Sequence, residues 1–199
     1  FEFYHRDWWP MQLACPAMAV VILMCLWLKP AWGGRVIAIL LAGSWAWVGW
    51  AFLHLRFAPI HWVADWYAVA FIFQALLLIY GVWRRRVDFA IGNSARTSIG
   101  VLVLLGALAV MPATAYLTGR EWMQAELFAM TPDATVLATL GLLLVIGRAA
   151  VWLMVIPVAW CLVSGTTLWV LEAPEAMILP VGAMLTIASM FMPLRQGQA

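Results

Sequence analysis

MQLACPAMAVVILMCLWL, running from Met11 to Leu28 and followed at once by Lys29-Pro30, decides the fold. The stretch holds no acidic or basic side chain. It is about as long as the roughly 20 residues a helix needs to cross a hydrocarbon layer of about 30 Å. Pro30 offers no N–H and disfavours helix in the residue before it, so the helix stops there. With a full span's length and no small-residue cleavage site, the segment reads as a retained span rather than a removed leader.

Outward from this stretch the same grammar repeats. The chain of 199 residues is 66% hydrophobic and 10% charged, with a mean hydropathy of +0.97. Soluble domains are about half apolar and a quarter charged. So few charges cannot form a polar shell, and the expected solvent is lipid. Cutting at charges and Pro/Gly clusters gives six further spans: Arg35 to Phe57, Ala64 to Trp83, Ser98 to Thr118, Pro132 to Ile146, Ala149 to Leu171 and Ala176 to Leu194. The expected fold class is therefore all-α, a polytopic bundle of about seven transmembrane helices forming one membrane-embedded domain over residues 1–199.

Between the spans lie shorter signals. Ile60 to Val63 reads as an interfacial segment, and Arg120 to Phe128, with charge and Trp, Met and Leu at helical spacing, reads as a short helix lying on the membrane surface. Thr131-Pro132-Asp133 is a helix start: a threonine cap, proline at the first position and an acid in the first turn. Pro112 predicts a kink. Pro157 frees a backbone carbonyl that a neighbour must satisfy. Gly43, Ser44, Gly100, Gly106, Gly141, Gly165 and Gly182 are candidate close-approach points between helices.

Charge supports the count. With the amino terminus outside, the inner segments hold Lys29, Arg35, Arg84, Arg85, Arg86, Arg96, Arg148 and Arg195 against Asp88 alone. The outer ones hold Glu2, Asp7, Asp65, Glu121, Glu126, Asp133, Glu172 and Glu175 with Arg6, Arg56 and Arg120. Basic residues are retained on the cytoplasmic face, so this sorting sets the orientation and makes the arginine run a topology anchor. The net charge of +2 gives no basic patch for a nucleic-acid partner.

Candidate chemistry is sparse. No acid or base sits deep in a span, which weighs against a proton-coupled pump. The seventh span has no lysine for a retinal Schiff base. His54 is the one histidine even partly inside a span, so a bis-histidine haem site has no second ligand. GxSxG, HExxH and P-loop patterns are lacking, and no enzyme activity is expected. Cys15, Cys25 and Cys161 lie in apolar runs and read as small buried hydrophobes. His5, His54 and His61, with Asp7 or Asp65, lack helical metal-ligand spacing, and no metal or cofactor is expected.

The most distinctive face is aromatic. Trp47, Trp50 and His54 recur at helical steps on the second span, opposite Tyr67, Phe71 and Gln74 on the third. Gln74, level with Trp47, is expected to accept its indole N–H. This face reads either as helix packing or as the wall of a small-molecule pocket.

Ser44-Trp45-Ala46-Trp47-Val48-Gly49-Trp50 leading to His54, and Trp66 to Gln74, resemble a family of bacterial multi-pass membrane proteins known only as a domain of unknown function. So do Pro132-Asp133-Ala134-Thr135 with Thr139-Leu140-Gly141, Ile156-Pro157-Val158-Ala159-Trp160, and Phe1-Glu2-Phe3-Tyr4 with Trp9-Pro10-Met11-Gln12. The resemblance covers most of the chain but departs at Leu53, where the family carries tyrosine. It implies the bacterial cytoplasmic (inner) membrane and residues upstream of Phe1, and assigns no activity. The resulting expectation is an accessory or scaffold subunit of a membrane complex, packed in the lipid bilayer, with other membrane subunits as candidate partners, and holding lipid, quinone, pigment or another hydrophobic small molecule. The alternative is a small permease or channel for a neutral or weakly charged solute.

Overall fold

The computed structural model describes residues 2–84, 94–146 and 148–191. Arg85, Arg86, Asp88 and Arg195 of the charge argument lie outside the described residues. The elements are α1 (Glu2–Asp7), α2 (Trp9–Leu28), α3 (Gly33–Trp47), a π-helix (Val48–Phe57), α4 (Ala64–Trp83), α5 (Ala95–Leu105), a π-turn (Gly106–Val110), α6 (Met111–Leu117), α7 (Pro132–Ile146), a 3₁₀ stretch (Arg148–Met154), α8 (Val155–Val170) and α9 (Ile178–Met190). No strand occurs among the described residues.

Five continuous stretches are long and apolar enough to cross a bilayer: Trp9–Leu28, Gly33–Phe57, Ala64–Trp83, Ala95–Leu117 and Val151–Val170. α7 and α9 are shorter. The chain alternates in direction. Arg56 at the end of the π-helix pairs with Asp7 before α2, and Arg120 after α6 pairs with Glu175 before α9. At the opposite end Arg96, at the start of α5, reaches the last turn of α9.

α7 is the core. Residues 125–145 are buried without exception, whereas α2 buries only Cys15, Ile22, Cys25 and Leu26. A helix wrapped by α3, α5, α8 and α9 needs no lipid-length span, because its neighbours supply the apolar surroundings. Contact with α5 is backbone to backbone. A β-carbon on Gly100 would lie 2.7 Å from the Gly141 carbonyl, and one on Gly141 would lie 2.6 Å from the Leu104 nitrogen. Gly43 and Gly106, by contrast, face open space and are not approach points.

Pro112 and Pro157 both sit where the backbone hydrogen-bonding pattern changes. Pro112 follows a π-turn in which the Met111 N–H reaches back to Gly106, so the missing proline donor is absorbed by a widened turn. Pro157 removes the N–H that would bond Leu153, and Gln74 of α4 donates to that carbonyl instead, at 2.9 Å. α5 begins before Ser98 because Ser94 caps it, accepting the Thr97 N–H at 3.2 Å. The short α1 ahead of α2 has no counterpart in the sequence reading.

One expectation is overturned. Arg120 to Phe128 is not a surface helix: only Trp122–Gln124 forms a single 3₁₀ turn, and the chain from Ala125 onward dives into the bundle above α7. Ala129 takes a left-handed φ of 66°, held by its N–H to Thr135 Oγ1 at 2.9 Å. Thr131 does not act as the cap; its hydroxyl donates to the Leu127 carbonyl. Short α7 leaves room that this loop fills, and irregular backbone at such depth is stable only when protein surrounds it.

Candidate functional site

The aromatic face read from the sequence separates into three. Trp47 donates to the Tyr4 hydroxyl at 2.9 Å and stacks edge-on with Trp8, tying α1 and the start of α2 to the bundle. Trp50 and His54 turn outward, where His54 Nδ1 meets Asp65 Oδ1 at 2.7 Å beside a shallow apolar groove on α4. Tyr67 and Phe71 turn inward onto Trp160 of α8, both edge-on. The expected Trp47–Gln74 hydrogen bond does not form: Trp47 donates to Tyr4, Gln74 Nε2 donates to the Leu153 carbonyl, and the Gln74 Oε1 that was to accept stays unpaired. On the second span itself the face persists through the π-helix: the Trp47 and Trp50 rings lie edge-on with centroids 5.8 Å apart, and Trp50 and His54 line the same groove.

The histidines also disperse. His5 is buried beside Tyr4, His54 sits on Asp65, and His61 stacks on Phe57 with centroids 5.3 Å apart. Burial lowers the His5 imidazole to about 4 and pushes the Tyr4 phenol above its ordinary range. Among the described residues no three His, Cys, Asp or Glu side chains come together as a metal site. The three cysteines are buried and free.

What the fold does assemble is a cleft of about 590 Å³ at the end where α2 begins and α8 ends. Such a volume lies within the usual range of small-molecule sites. Phe52, Leu53, Arg56 and Phe57 from the π-helix form one wall, and Trp160, Ser164, Leu168 and Leu171 from the α8 side form another. The floor is Pro132 and Asp133 at the start of α7. Glu126 comes from the inserted loop, and Arg120 and Glu175 complete the lining.

Asp133 is held: Trp160 Nε1 donates to one oxygen at 2.6 Å and Ser164 Oγ to the other at 2.8 Å. Glu175 is half held, with Arg120 Nη2 2.8 Å from Oε1. Its Oε2 and the Oε2 of Glu126 are buried without a hydrogen-bond partner, on side chains only 7% and 4% exposed. Burial, reinforced by the nearby Asp133 charge and partly offset by Arg120, pushes the Glu126 carboxyl well above the usual range. Buried polar atoms left unpaired are uncommon and expensive, about 1–3 kcal/mol each and more when charged. Two of them sharing one open cleft describe a surface built to be completed by a donor.

None of Glu126, Asp133, Glu175 and Arg120 stands out as a site in the sequence reading, which places the acids merely on the outer face. The available signal was Glu126 itself, a lone acid between Ala125 and Leu127-Phe128, just ahead of the shortest well-formed apolar span.

Residues 1–198 match a family described as "Family of unknown function (DUF6064)", and the chain belongs to that family. No curated protein and no solved structure matches it.

Proposed function

We propose that this DUF6064 member is a seven-span integral protein of the bacterial cytoplasmic membrane, with its amino terminus outside, that binds a small hydrophobic or amphipathic molecule in the carboxylate cleft and catalyses no reaction. Its cellular role in this reading is that of an accessory or ligand-holding subunit. Seven crossings are supported by the alternating helix directions and by the short α7 and α9 packing within the bundle. The orientation is supported by charge: Asp7, Asp65, Glu126, Asp133 and Glu175 gather at the cleft end, and Arg84 and Arg96 stand at the other.

The observation that carries the binding reading is the cleft itself, with apolar and aromatic walls around a few convergent polar groups. Conduction is the weaker reading. Below the cleft Trp45, Phe71 and Gln74 are fully packed, with Trp45 donating to Thr139 Oγ1 at 2.8 Å, so a transported solute would have to part this layer. Extraction of the protein with its native lipid annulus, followed by mass spectrometry of bound small molecules, tests the proposal. One molecule per chain is expected, displaced when Leu168→Trp fills the cleft. Protein that carries none, or carries it equally in both forms, contradicts it.

A further inference from the structure

We propose that the cleft selects a protonated amine on an apolar body, its N–H groups bonding the open oxygens of Glu126 and Glu175. This deepens the binding reading above and rests on it.

The polar groups of the cleft are already sorted. Asp133 is satisfied by Trp160 and Ser164, and Arg120 is committed to Glu175. What remains is two acceptors, Glu126 Oε2 and Glu175 Oε2, contributed by two different loops, and one donor, Arg120 Nη2, which is ion-paired with Glu175 but makes no hydrogen bond. An anion would meet three carboxylates and could gain Arg120 only by breaking its pair. A bare metal ion needs ligands on one small sphere, and no such group exists among the described residues. An ammonium carries up to three donors pointing apart, so it can bridge acceptors that a metal cannot. Its hydrocarbon part has Phe52, Phe57, Leu168 and Leu171 to cover it, and Trp160 offers a ring for the cation.

The empty cleft holds its balance with a proton. Glu126 faces Asp133 of α7, Glu175 of the α8–α9 turn and Arg120 of its own loop, while Arg56 of the π-helix and Tyr4 of α1 line the same space. Among these, burial and the Asp133 charge keep Glu126 protonated well above the usual carboxylate range. An arriving ammonium replaces that proton: one RNH₃⁺ enters and one H⁺ leaves to water, with no change in net charge. Binding therefore tightens up to about tenfold per pH unit while Glu126 is still protonated and the amine still charged.

The test uses the full chain in lipid nanodiscs and three probes of one shape: 2-phenylethylamine, 2-phenylethanol and phenylacetate, titrated calorimetrically. The amine is expected to bind at least 10-fold tighter than the alcohol, with phenylacetate weakest and proton release visible on changing the buffer's ionisation enthalpy. Glu126→Gln is expected to reduce amine affinity at least 10-fold and abolish proton release, with a thermal unfolding midpoint no lower than that of the unaltered protein as the check that the bundle is intact. Glu126→Asp is expected to restore part of both. If the alcohol binds as tightly as the amine, or E126Q changes neither affinity nor proton release, the amine inference is overturned and the binding proposal stands. If no probe binds and Leu168→Trp leaves native ligand content unchanged, both fall.

Discussion

Two buried ionisable side chains sit at opposite ends of this bundle and are treated in opposite ways. Arg96, 2% exposed, donates through Nε to the Ser189 carbonyl at 3.1 Å and through Nη2 to the Met190 carbonyl at 3.2 Å. It closes the carboxyl end of α9, where helix carbonyls lack partners and the dipole favours a cation. Glu126, equally buried, keeps one oxygen unmatched in a cleft. Arg96 ties two helix carbonyls to α5, whereas Glu126, kept protonated, leaves one oxygen without a protein partner. That difference is what the proposed binding role of Glu126 rests on.

If the two ends face different compartments, labelling is all or none. The native cysteines are buried and silent, so Trp122→Cys, at an exposed position, should react with an impermeant maleimide on intact cells. Lys29→Cys should react only after the membrane is opened. Labelling of both without opening breaks the two-ended picture.

Arg96→Met should lower stability by about 2 kcal/mol, since hydrogen bonds from charged groups contribute about 1.5–3 kcal/mol. Thermal unfolding in detergent checks this, and an unchanged midpoint removes Arg96 from its structural role. A smaller effect is expected at mid-bundle. Gln74→Leu leaves the Leu153 carbonyl without its donor, for about 1 kcal/mol in a membrane setting. Pro157→Ala restores the backbone N–H and should recover most of it. A double mutant no better than Q74L alone would show that Gln74 acts otherwise.

At the cleft the sign reverses. Glu126→Gln, which loses an unpaired buried acid, should leave stability unchanged or raise it by up to about 1 kcal/mol. The pH dependence sharpens this. Because the folded-state value of Glu126 is raised, its contribution is fully present below the unfolded value of about 4.5 and is lost as pH rises toward the folded one. His5 runs the other way: with its folded value near 4, its contribution is full above about 6.5 and is lost as pH falls. Unfolding midpoints of E126Q against pH should lose the Glu126 slope and keep the His5 slope.

Much of the fold was legible because long apolar helices announce themselves by length and by punctuation. Lys29-Pro30, the Glu172-Pro174 turn and the basic residues each mark a boundary that the helices respect within a few residues. Gly100 and Gly141 were readable as approach points, and Pro157 as a carbonyl in need of a donor. The donor's identity was not readable. Level along the span pairs Gln74 with Trp47, but Trp47 turns to Tyr4 of α1, an element the sequence reading lacks, and Gln74 turns to the Leu153 carbonyl. The cleft was illegible for a related reason. Its carboxylates come from positions 126, 133 and 175, and they meet only because a loop folds inward over a short helix. Local periodicity carries no information about that.

The central claim is that Glu126 is left open for a ligand. A side-chain-resolution electron cryomicroscopy map of the protein, extracted with its native lipid, tests it most directly. The account predicts non-protein density between Glu126, Glu175 and Trp160. A closed cleft in which Glu126 Oε2 is bonded to a protein donor would contradict it.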